Sequence, residues 1–272
     1  MLANMAMAIA AAIGATQAPS PPAAPRRVLS LNLCADQYLI ALADPGQIVG
    51  LTRYARDPAM SFAAREAVRF PVTSGRAEDV AMTRPDLVIA SPWRMTPTFR
   101  DAEGRPIATL DLPPADSYVQ IVDQVRTVAR ALGHPERGEA LIARMDAELK
   151  GVRPARLRTV AAYYQRRGYL TGTGTLVDDI MKRLGVTNLA SVLDRPVLSR
   201  LSLEQMVVAH PDMLIVESSS DKTVDRGTEL LHHPAIAGIP RLRIPEAATV
   251  CGGPSYPIAA RSLAAQLHAA GR

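Results

Sequence analysis

The segment EDVAMTRPDLVIA, residues 78–90, returns 126 positions later as EQMVVAHPDMLIV, residues 204–216. The Glu, Pro, Asp and Ile positions are identical in register, and most other positions exchange one apolar residue for another. Each copy predicts a short helix that opens on Glu, a Pro-Asp turn and a buried strand. This period is too long for a solenoid repeat. The duplication therefore predicts two similar lobes, and two lobes imply a cleft.

The composition is that of a globular chain whose 272 residues suffice for one large domain or two smaller ones. Hydrophobic residues make up 48% and charged residues 21%, which excludes an intrinsically disordered protein. With three Phe and one Trp, the core must be mainly aliphatic. The net charge of +5 comes from scattered arginines without interleaved aromatic residues, so nucleic-acid binding is not expected.

The first 25 residues are predicted to lie outside the fold. Residues 1–14 are apolar and Ala-rich, and small residues follow, which predicts a secretory signal peptide over residues 1–18. Residues 19–25 form a Pro-rich spacer. The expected basic n-region is missing, which leaves open a start codon further upstream. The apolar run is too short for a comfortable membrane span. We therefore expect a soluble mature protein in the periplasm.

The rest of the chain alternates short apolar strands with helices. Strands are predicted at residues 27–31, 48–52, 86–91, 106–111, 159–165 and 241–244, and helices at 36–42, 176–184 and 256–269. Between the two halves, helical spacing predicts two consecutive helices separated by Gly133 and Pro135. This alternation is typical of parallel βαβ units. It predicts lobes over residues 26–116 and 154–272, joined by a helical connection over residues 117–153.

Three further segments, together with the two repeat copies, carry a resemblance through their order and spacing. They are RVLSLNLCAD (27–36), the two Glu…Pro-Asp copies, TGTGT (171–175) and CGGP (251–254). Together they resemble the periplasmic binding proteins of iron-siderophore, haem and cobalamin ABC importers, over nearly the whole mature chain. The resemblance implies an α/β fold of two similar lobes with central parallel sheets, bridged by one long inter-lobe helix. It also implies a solute-binding component of an importer, with the ligand held in the cleft between the lobes.

The resemblance assigns a partner to the repeated Glu. In cobalamin- and siderophore-binding members of this family, one Glu on each lobe docks into basic pockets of the membrane permease, and Glu78 and Glu204 fall on those positions. Two carboxylates on equivalent lobes suit two arginine pockets of a permease dimer. A local role is the alternative, because a negative charge at a helix N-terminus is favourable by about 0.3–1 kcal/mol. The carrier is expected to be a monomer without catalytic residues.

Ligands of open α/β sheets meet the loops at the carboxyl ends of the strands. In this chain those loops carry Arg53, Tyr54, Trp93, Arg166, Arg167 and Tyr169. Guanidinium and aromatic groups suit a large, flat or metal-chelating ligand with negative charge, and the resemblance places Tyr54 and Trp93 near family ligand-contact positions. The expected ligand is cobalamin, a ferric siderophore or haem, and no separate cofactor is expected. For each Arg, the alternative is an ordinary solvated side chain.

The two cysteines fall in opposite halves of the chain, and the resemblance places both at the cleft. In an oxidising compartment Cys34 and Cys251 form a disulfide only if their Cα atoms come within roughly 7 Å. Alternatively, they coordinate a soft metal or the metal centre of a ligand, or they are inert buried thiols. The competing function is therefore an exported thiol-dependent metal-binding or redox protein, or an enzyme using these thiols. No Ser/His/Asp or Cys/His constellation supports an enzyme.

Overall fold

The first half of the chain forms one parallel sheet flanked by helices. The computed structural model describes residues 24–74, 76–91 and 99–271. The elements of this half are β1 (Val28–Ser30), α1 (Leu33–Leu42), β2 (Ile48–Thr52), α2 (Ala64–Ala67), β3 (Val72–Thr73), α3 (Ala77–Thr83), β4 (Leu87–Ala90) and β5 (Ala108–Asp111). The strands lie in the order β3-β2-β1-β4-β5, and every pairing is parallel. The predicted positions of β1, β2, β4 and β5 are confirmed to within two residues.

Two antiparallel helices follow, α4 (Tyr118–Ala131) and α5 (Pro135–Lys150). Gly133 separates them with a left-handed φ of +82°, a conformation that glycine adopts without strain. The helices pack closely, because a Cβ on Gly138 would lie only 2.6 Å from the Cβ of Ala129. The connection is thus a helical hairpin, as Gly133 and Pro135 predicted, and not the one long helix that the resemblance implied. A proline at the first position of α5 cannot continue the preceding helix.

The second half repeats the topology of the first and adds to it. Its elements are β6 (Thr159–Gln165), β7 (Tyr169–Thr171), α6 (Leu176–Arg183), β8 (Val186–Asn188), α7 (Leu189–Val192), β9 (Leu198–Arg200), α8 (Leu203–Ala209), β10 (Met213–Glu217), α9 (Ser218–Lys222), β11 (Arg241–Ile244) and α10 (Tyr256–Ala269). The parallel strands β8-β6-β10-β11 have the order of β2-β1-β4-β5, which confirms two similar lobes. Strands β7 and β9 extend this sheet with antiparallel pairings, which the sequence did not predict.

The repeated Pro-Asp pair fixes the neighbouring strand in each lobe. Asp86 accepts hydrogen bonds from the backbone N–H groups of Arg26 (2.8 Å) and Arg27 (2.9 Å), just before β1. Asp212 accepts from the backbone N–H of Val160 in β6, at 2.8 Å. Since β1 and β6 are the direct neighbours of β4 and β10, both aspartates tie the start of one strand to the next. The two residues are more than turn formers, because they hold adjacent strands in register.

A single apolar cluster runs through both lobes and the helical hairpin. It contains Val28 and Leu39 of the first lobe, Val125 of α4, and Ile180 and Leu263 of the second lobe, all buried. Helix α5 packs against both α1 and α10. The lobes therefore share one continuous core. No helix among the described residues is long and apolar enough to cross a membrane.

Candidate functional site

A cleft lies between the lobes at the carboxyl ends of their strands. One cavity of about 370 Å³ is lined by both lobes, with Asn32 and Ser91 on one side and Cys251 on the other. A second cavity of about 280 Å³ lies against the second lobe. The two cavities share Asp116, Leu176, Thr249 and Val250. They are therefore neighbouring parts of one cleft, in the position expected for the ligand of such sheets.

A disulfide joins the two lobes in the wall of this cleft. Cys34 stands in the first turn of α1, Cys251 lies in the loop before α10, and their Cα atoms are 5.4 Å apart. The chain has two cysteines, and both are used in this bond. A disulfide sulfur offers no thiolate, so neither cysteine is a nucleophile or a thiolate metal ligand while the bond is intact. The thiol-dependent alternative is not favoured.

The backbone around Cys251 lies unusually close to the first lobe and the connection. The hydroxyl of Tyr38 donates a hydrogen bond of 3.0 Å to the carbonyl oxygen of Gly252. A Cβ on Gly252 would lie 1.8 Å from the carbonyl oxygen of Ala115, a separation that no side chain tolerates. Burial raises the pKa of Tyr38 far above its usual range, so the phenol stays a neutral donor. This loop is therefore held against the first lobe by close packing as well as by the disulfide.

An aromatic and charged cluster joins the connection to the second lobe. The ring centroids of Tyr118 and Tyr256 are 5.1 Å apart, and the guanidinium of Arg183 lies 5.0 Å from the Tyr118 ring. The hydroxyl of Tyr256 donates to Asp179 (2.5 Å), which also accepts the backbone N–H of Tyr118 (3.2 Å). A cation over an aromatic ring and a charge-assisted hydrogen bond both strengthen when shielded from water. This cluster positions α4, α6 and α10 beneath the cleft.

The second-lobe wall of the cleft is polar and acidic. Glu217, at the end of β10, accepts hydrogen bonds from Tyr163 (3.2 Å) and Gln165 (3.2 Å). Glu246 accepts the backbone N–H of Ser219 at 2.9 Å. Burial first, and then the nearby charge of Glu217, raise the pKa of Tyr163, which keeps its phenol neutral. Arginines were predicted at these strand ends and the two carboxylates were not, although Glu217 directly follows the strand of the second repeat copy.

Arg53 and Tyr54 pair with each other at the carboxyl end of β2. The Arg53 guanidinium donates to the Tyr54 hydroxyl at 2.7 Å and lies 4.8 Å from the ring centroid. Both side chains are exposed, and neither lines the two cleft cavities. The structure confirms that they follow a strand end. Their contact with a ligand stays a prediction, and Trp93 lies outside the described residues.

Arg166, Arg167 and Tyr169 follow β6 but do not line the cleft cavities. The Arg166 guanidinium forms an ion pair with Asp225, with nitrogen–oxygen distances of 2.8 and 3.0 Å, and it holds the pKa of that carboxyl below its usual range. Arg167 has a left-handed φ of +59° and donates its backbone N–H to the carbonyl oxygen of Gly227. The guanidinium of Arg200 covers the Tyr169 ring. The side chains of Arg166 and Tyr169 and the backbone of Arg167 thus already have partners within the second lobe.

The Gly-rich turn serves the chain's own packing. A Cβ on Gly172 would lie 2.3 Å from the carbonyl oxygen of Pro196, so the glycine admits a neighbouring backbone. Thr175 accepts the backbone N–H of Asp178 and so caps α6. Both Thr171 and Thr175 line the smaller cleft cavity.

Asp36 is a buried structural carboxylate. Its oxygens accept the backbone N–H of Thr52 at 3.0 Å and the Thr52 hydroxyl at 2.5 Å. Burial raises its pKa from 3.8 to about 6, although these hydrogen bonds oppose the shift. Asp36 thus ties α1 to the end of β2, beside Cys34. It offers no access for a substrate.

Glu78 and Glu204 occupy the same position in two equivalent helices. Each is the second residue of its helix, and both side chains are exposed. The third residues, Asp79 and Gln205, both accept the backbone N–H of the residue before the helix, at 2.9 and 3.2 Å. A hydrogen bond with Ser202 lowers the pKa of Glu204, so this side chain carries its charge at neutral pH.

A cavity of about 730 Å³ lies away from the cleft, between α3 and residues 100–108. It borders Pro85 and Asp86, which stand at the opposite end of β4 from Ser91. Only the first lobe lines it, so we assign the functional site to the smaller cavities that both lobes share. Among the residues that the structure describes, no group of three or more His, Cys, Asp or Glu side chains is arranged to hold a metal ion.

The family model for periplasmic binding proteins matches residues 28–243, and the chain belongs to this family. It is the solute-binding component of an ABC importer, and it is located in the periplasm. The family associates with an importer permease and a small-molecule ligand. Its members are binding proteins rather than enzymes. No curated protein sequence matches the chain.

Solved structures share the fold at low sequence identity. The periplasmic haem-binding protein RhuT from Roseiflexus sp. RS-1 has 24% identity and a TM-score of 0.70, and the match covers 91% of this chain and 99% of that one. The vitamin B12-binding protein BtuF of Vibrio cholerae has 15% identity and a TM-score of 0.63, with 91% and 98% covered. A periplasmic haem-binding protein from Pseudomonas aeruginosa has 18% identity and a TM-score of 0.64, with 90% and 93% covered. These likenesses extend over the two-lobed fold.

Proposed function

We propose that this protein captures a metal chelate in the inter-lobe cleft and delivers it to a permease dimer through Glu78 and Glu204. The observation that carries the delivery step is the equivalence of the two carboxylates. They occupy the second position of matched helices on matched lobes, and both are exposed. A permease dimer presents the same surface twice, so two identical contacts on one carrier suit it. The carrier acts as a monomer because one chain supplies both contacts.

Glu78 and Glu204 can be tested against a matched helix-terminal Glu. The double variant E78A/E204A should lose stimulation of the permease ATPase in proteoliposomes and keep its ligand affinity. The control is E136A, since Glu136 is also exposed at the second position of a helix, α5, but lies outside the repeat. Each substitution removes one favourable helix-terminal charge, two in E78A/E204A and one in E136A. Equal stimulation by wild type and E78A/E204A would refute the docking role.

The ligand class is proposed from the structural neighbours, whose names include haem- and vitamin B12-binding proteins. We infer that the ligand is cobalamin, haem or a ferric siderophore and that it contacts the Cys34–Cys251 wall of the cleft. Around that wall, Tyr54, Trp93 and Arg53 of one lobe and Arg166, Arg167 and Tyr169 of the other form the outer contacts. In this proposal the arginines must leave their present partners or contact the ligand at its edge.

The ligand can be identified by absorption spectroscopy of the purified protein titrated separately with cyanocobalamin, haemin and a ferric hydroxamate. The matched variants are V250W, which fills the shared part of the cleft, and V224W, at an exposed site that lines neither cleft cavity. Binding of one chelate by wild type and V224W, with loss in V250W, is the expected result. Equal binding by V250W would place the ligand elsewhere.

The proposal includes the division of the chain. Residues 1–18 are the signal peptide and 19–25 a spacer, and both lie before or at the edge of the described residues. The lobes are residues 26–116 and 154–272, and residues 117–153 connect them. Mass spectrometry of the protein recovered from the periplasm tests the cleavage after residue 18. An intact amino terminus in that fraction would contradict it.

A further inference from the structure

Met82 and Val208 are matched, exposed apolar side chains on the two lobes. Met82 is 82% exposed and Val208 is 85% exposed, which places them among the most exposed large apolar residues of the described chain. They are 126 positions apart, the same interval that separates Glu78 from Glu204. A single exposed apolar residue is ordinary on a protein surface. Here the same exposure occurs at equivalent positions of the repeat.

Each apolar side chain lies on the same helix face as the Glu of its lobe. Met82 follows Glu78, and Val208 follows Glu204, by four residues, and residues four apart are neighbours along a helix surface. The opposite faces are anchored alike, because Val80 of α3 and Met206 of α8 are buried.

Both helices also end in the same way. Arg84 and His210 adopt left-handed φ angles of +45° and +42°, and their backbone N–H groups donate to the carbonyl oxygens of Val80 and Met206. This conformation is uncommon for residues other than glycine, although histidine adopts it more often than most. Because it is repeated, both helices end with the same backbone geometry. The Glu and apolar pairs therefore point outward in equivalent directions on the two lobes.

On the second lobe the exposed apolar surface extends into a shallow recess. This recess has a volume of about 290 Å³, and Leu193, Leu201, Val208 and Ala209 line it together with the polar side chains of Arg195, Glu204 and Gln205. A carboxylate at the edge of an apolar recess is complementary to a partner surface that places a cation beside an apolar side chain. The charge and the apolar surface thus belong to one continuous patch.

We propose that Met82 and Val208 are apolar anchors of the permease-docking surface, each one helical turn from its carboxylate. The proposal rests on the proposed function of Glu78 and Glu204. It specifies the partner as a two-fold repeated permease surface that offers a cation next to an apolar site in each copy. The two kinds of residue divide the task. The carboxylates steer association, and salt screens this attraction. The apolar side chains become buried in the complex, where their contacts slow dissociation and are insensitive to salt.

The experiment measures binding of the full chain to the permease complex of the source bacterium, reconstituted in nanodiscs, by biolayer interferometry at low and high salt. M82S/V208S should dissociate about 10- to 100-fold faster at both salt concentrations, the effect of losing two buried apolar contacts. E78Q/E204Q should associate more slowly at low salt and approach the wild type at high salt. The matched control V68S/V119S changes two residues that are 64% and 70% exposed outside the repeat and should behave as wild type.

The outcomes separate this proposal from the docking role of the carboxylates. If E78Q/E204Q is impaired and M82S/V208S matches V68S/V119S, the apolar anchors are refuted and carboxylate docking stands. If wild type does not bind, or if E78Q/E204Q associates as fast as wild type at low salt, both ideas fail. Circular dichroism of each variant confirms that the two short helices are folded. A dissociation rate that rises in M82S/V208S alone, at both salt concentrations, supports the anchors.

Discussion

The hydroxyl of Tyr38 in the first lobe donates a hydrogen bond of 3.0 Å to the carbonyl oxygen of Gly252 in the second. The bond lies beside the disulfide of Cys34 and Cys251, at the cleft wall. It is a direct polar contact between lobes that the chain separates by more than two hundred residues. Tyr38 is fully buried. Removing its hydroxyl therefore leaves the carbonyl oxygen of Gly252 without this donor.

Removing this hydroxyl should weaken both stability and ligand retention. Y38F is expected to lower the free energy of unfolding by about 1–2 kcal/mol. It should also speed ligand release, because the loop that lines the cleft is less firmly held. Y164F is the matched control, since the Tyr164 hydroxyl donates to Leu201 at the same 3.0 Å but within one lobe. Urea unfolding and stopped-flow release are the measurements. Equal release rates for the two variants would contradict a role of Tyr38 at the cleft.

The disulfide should be the largest single stabiliser of the inter-lobe arrangement. C34S/C251S is expected to lower the free energy of unfolding by about 2–5 kcal/mol, because the bond closes a very long loop. The same loss should appear when the wild type is measured in reductant, and C34S/C251S should not respond to reductant. A thiol titration should find no free thiol before reduction and two after it. Two reactive thiols in the untreated periplasmic protein would contradict the bond.

Asp36 should contribute more to the free energy of unfolding in mild acid than at neutral pH. Its pKa in the fold is about 6, above the ordinary value of 3.8, so the folded state binds more protons between these values. Stability from this group is therefore present at low pH and falls as the pH rises through 6. Relative to D36N, the wild type should lose about 3 kcal/mol between pH 4 and pH 8. Urea unfolding over this pH range measures the difference.

Asp225 supplies the control of opposite sign. Its pKa lies below the usual range because of Arg166, so its contribution is present above pH 4 and is lost as the pH falls further. The free energy of unfolding of the wild type relative to D225N should thus fall as the pH is lowered, and this change should occur at lower pH than that of Asp36. If D36N and the wild type kept a constant difference from pH 4 to pH 8, the shifted pKa of Asp36 would be disproved.

The repeated Asp should affect stability and leave docking intact. D86A and D212A each remove the acceptor of backbone N–H groups at the start of a neighbouring strand, and each should cost about 1–2 kcal/mol of unfolding free energy. Permease stimulation by the folded variants should equal that of wild type. E78A and E204A should show the reverse pattern, with stability nearly unchanged. Urea unfolding and ATPase stimulation of all four variants measure the two effects. Reduced permease stimulation by D86A at a temperature where it is folded would contradict this division of roles.

The repeat made the fold predictable because its pattern is local. Apolar runs located β1, β2, β4 and β5 of the first lobe and β6, β10 and β11 of the second but not the short strands β3 and β8, and Gly133 with Pro135 located the break between the connecting helices. Strand β7 was missed because three residues, Tyr169–Thr171, are too few to show a period. It pairs antiparallel with β6 on one side and with β9 on the other, and β9 lies almost thirty residues further along the chain.

The candidate site was less predictable because its partners come together only in three dimensions. Cys34 and Cys251 left several chemistries open until their Cα distance was known. Arg166 follows a strand as expected, but the sequence gives no sign that Asp225 pairs with it. The role of Asp86 was likewise read as local, although its acceptors face the strand beside it. Exposure of Met82 and Val208 also follows from tertiary packing, since apolar residues at those positions could equally be buried.

The apolar cluster that runs from Val28 through Val125 to Leu263 has a consequence for folding. Although each lobe repeats the topology of the other and the second lobe has a smaller cluster of its own, the largest cluster is completed only by both lobes and the helical hairpin together. A fragment ending before α4 would leave the apolar faces of α1 uncovered and would aggregate rather than fold. The intact chain should instead melt in a single calorimetric transition, with equal van't Hoff and calorimetric enthalpies. The two halves share one architecture, but they should unfold together as one cooperative unit.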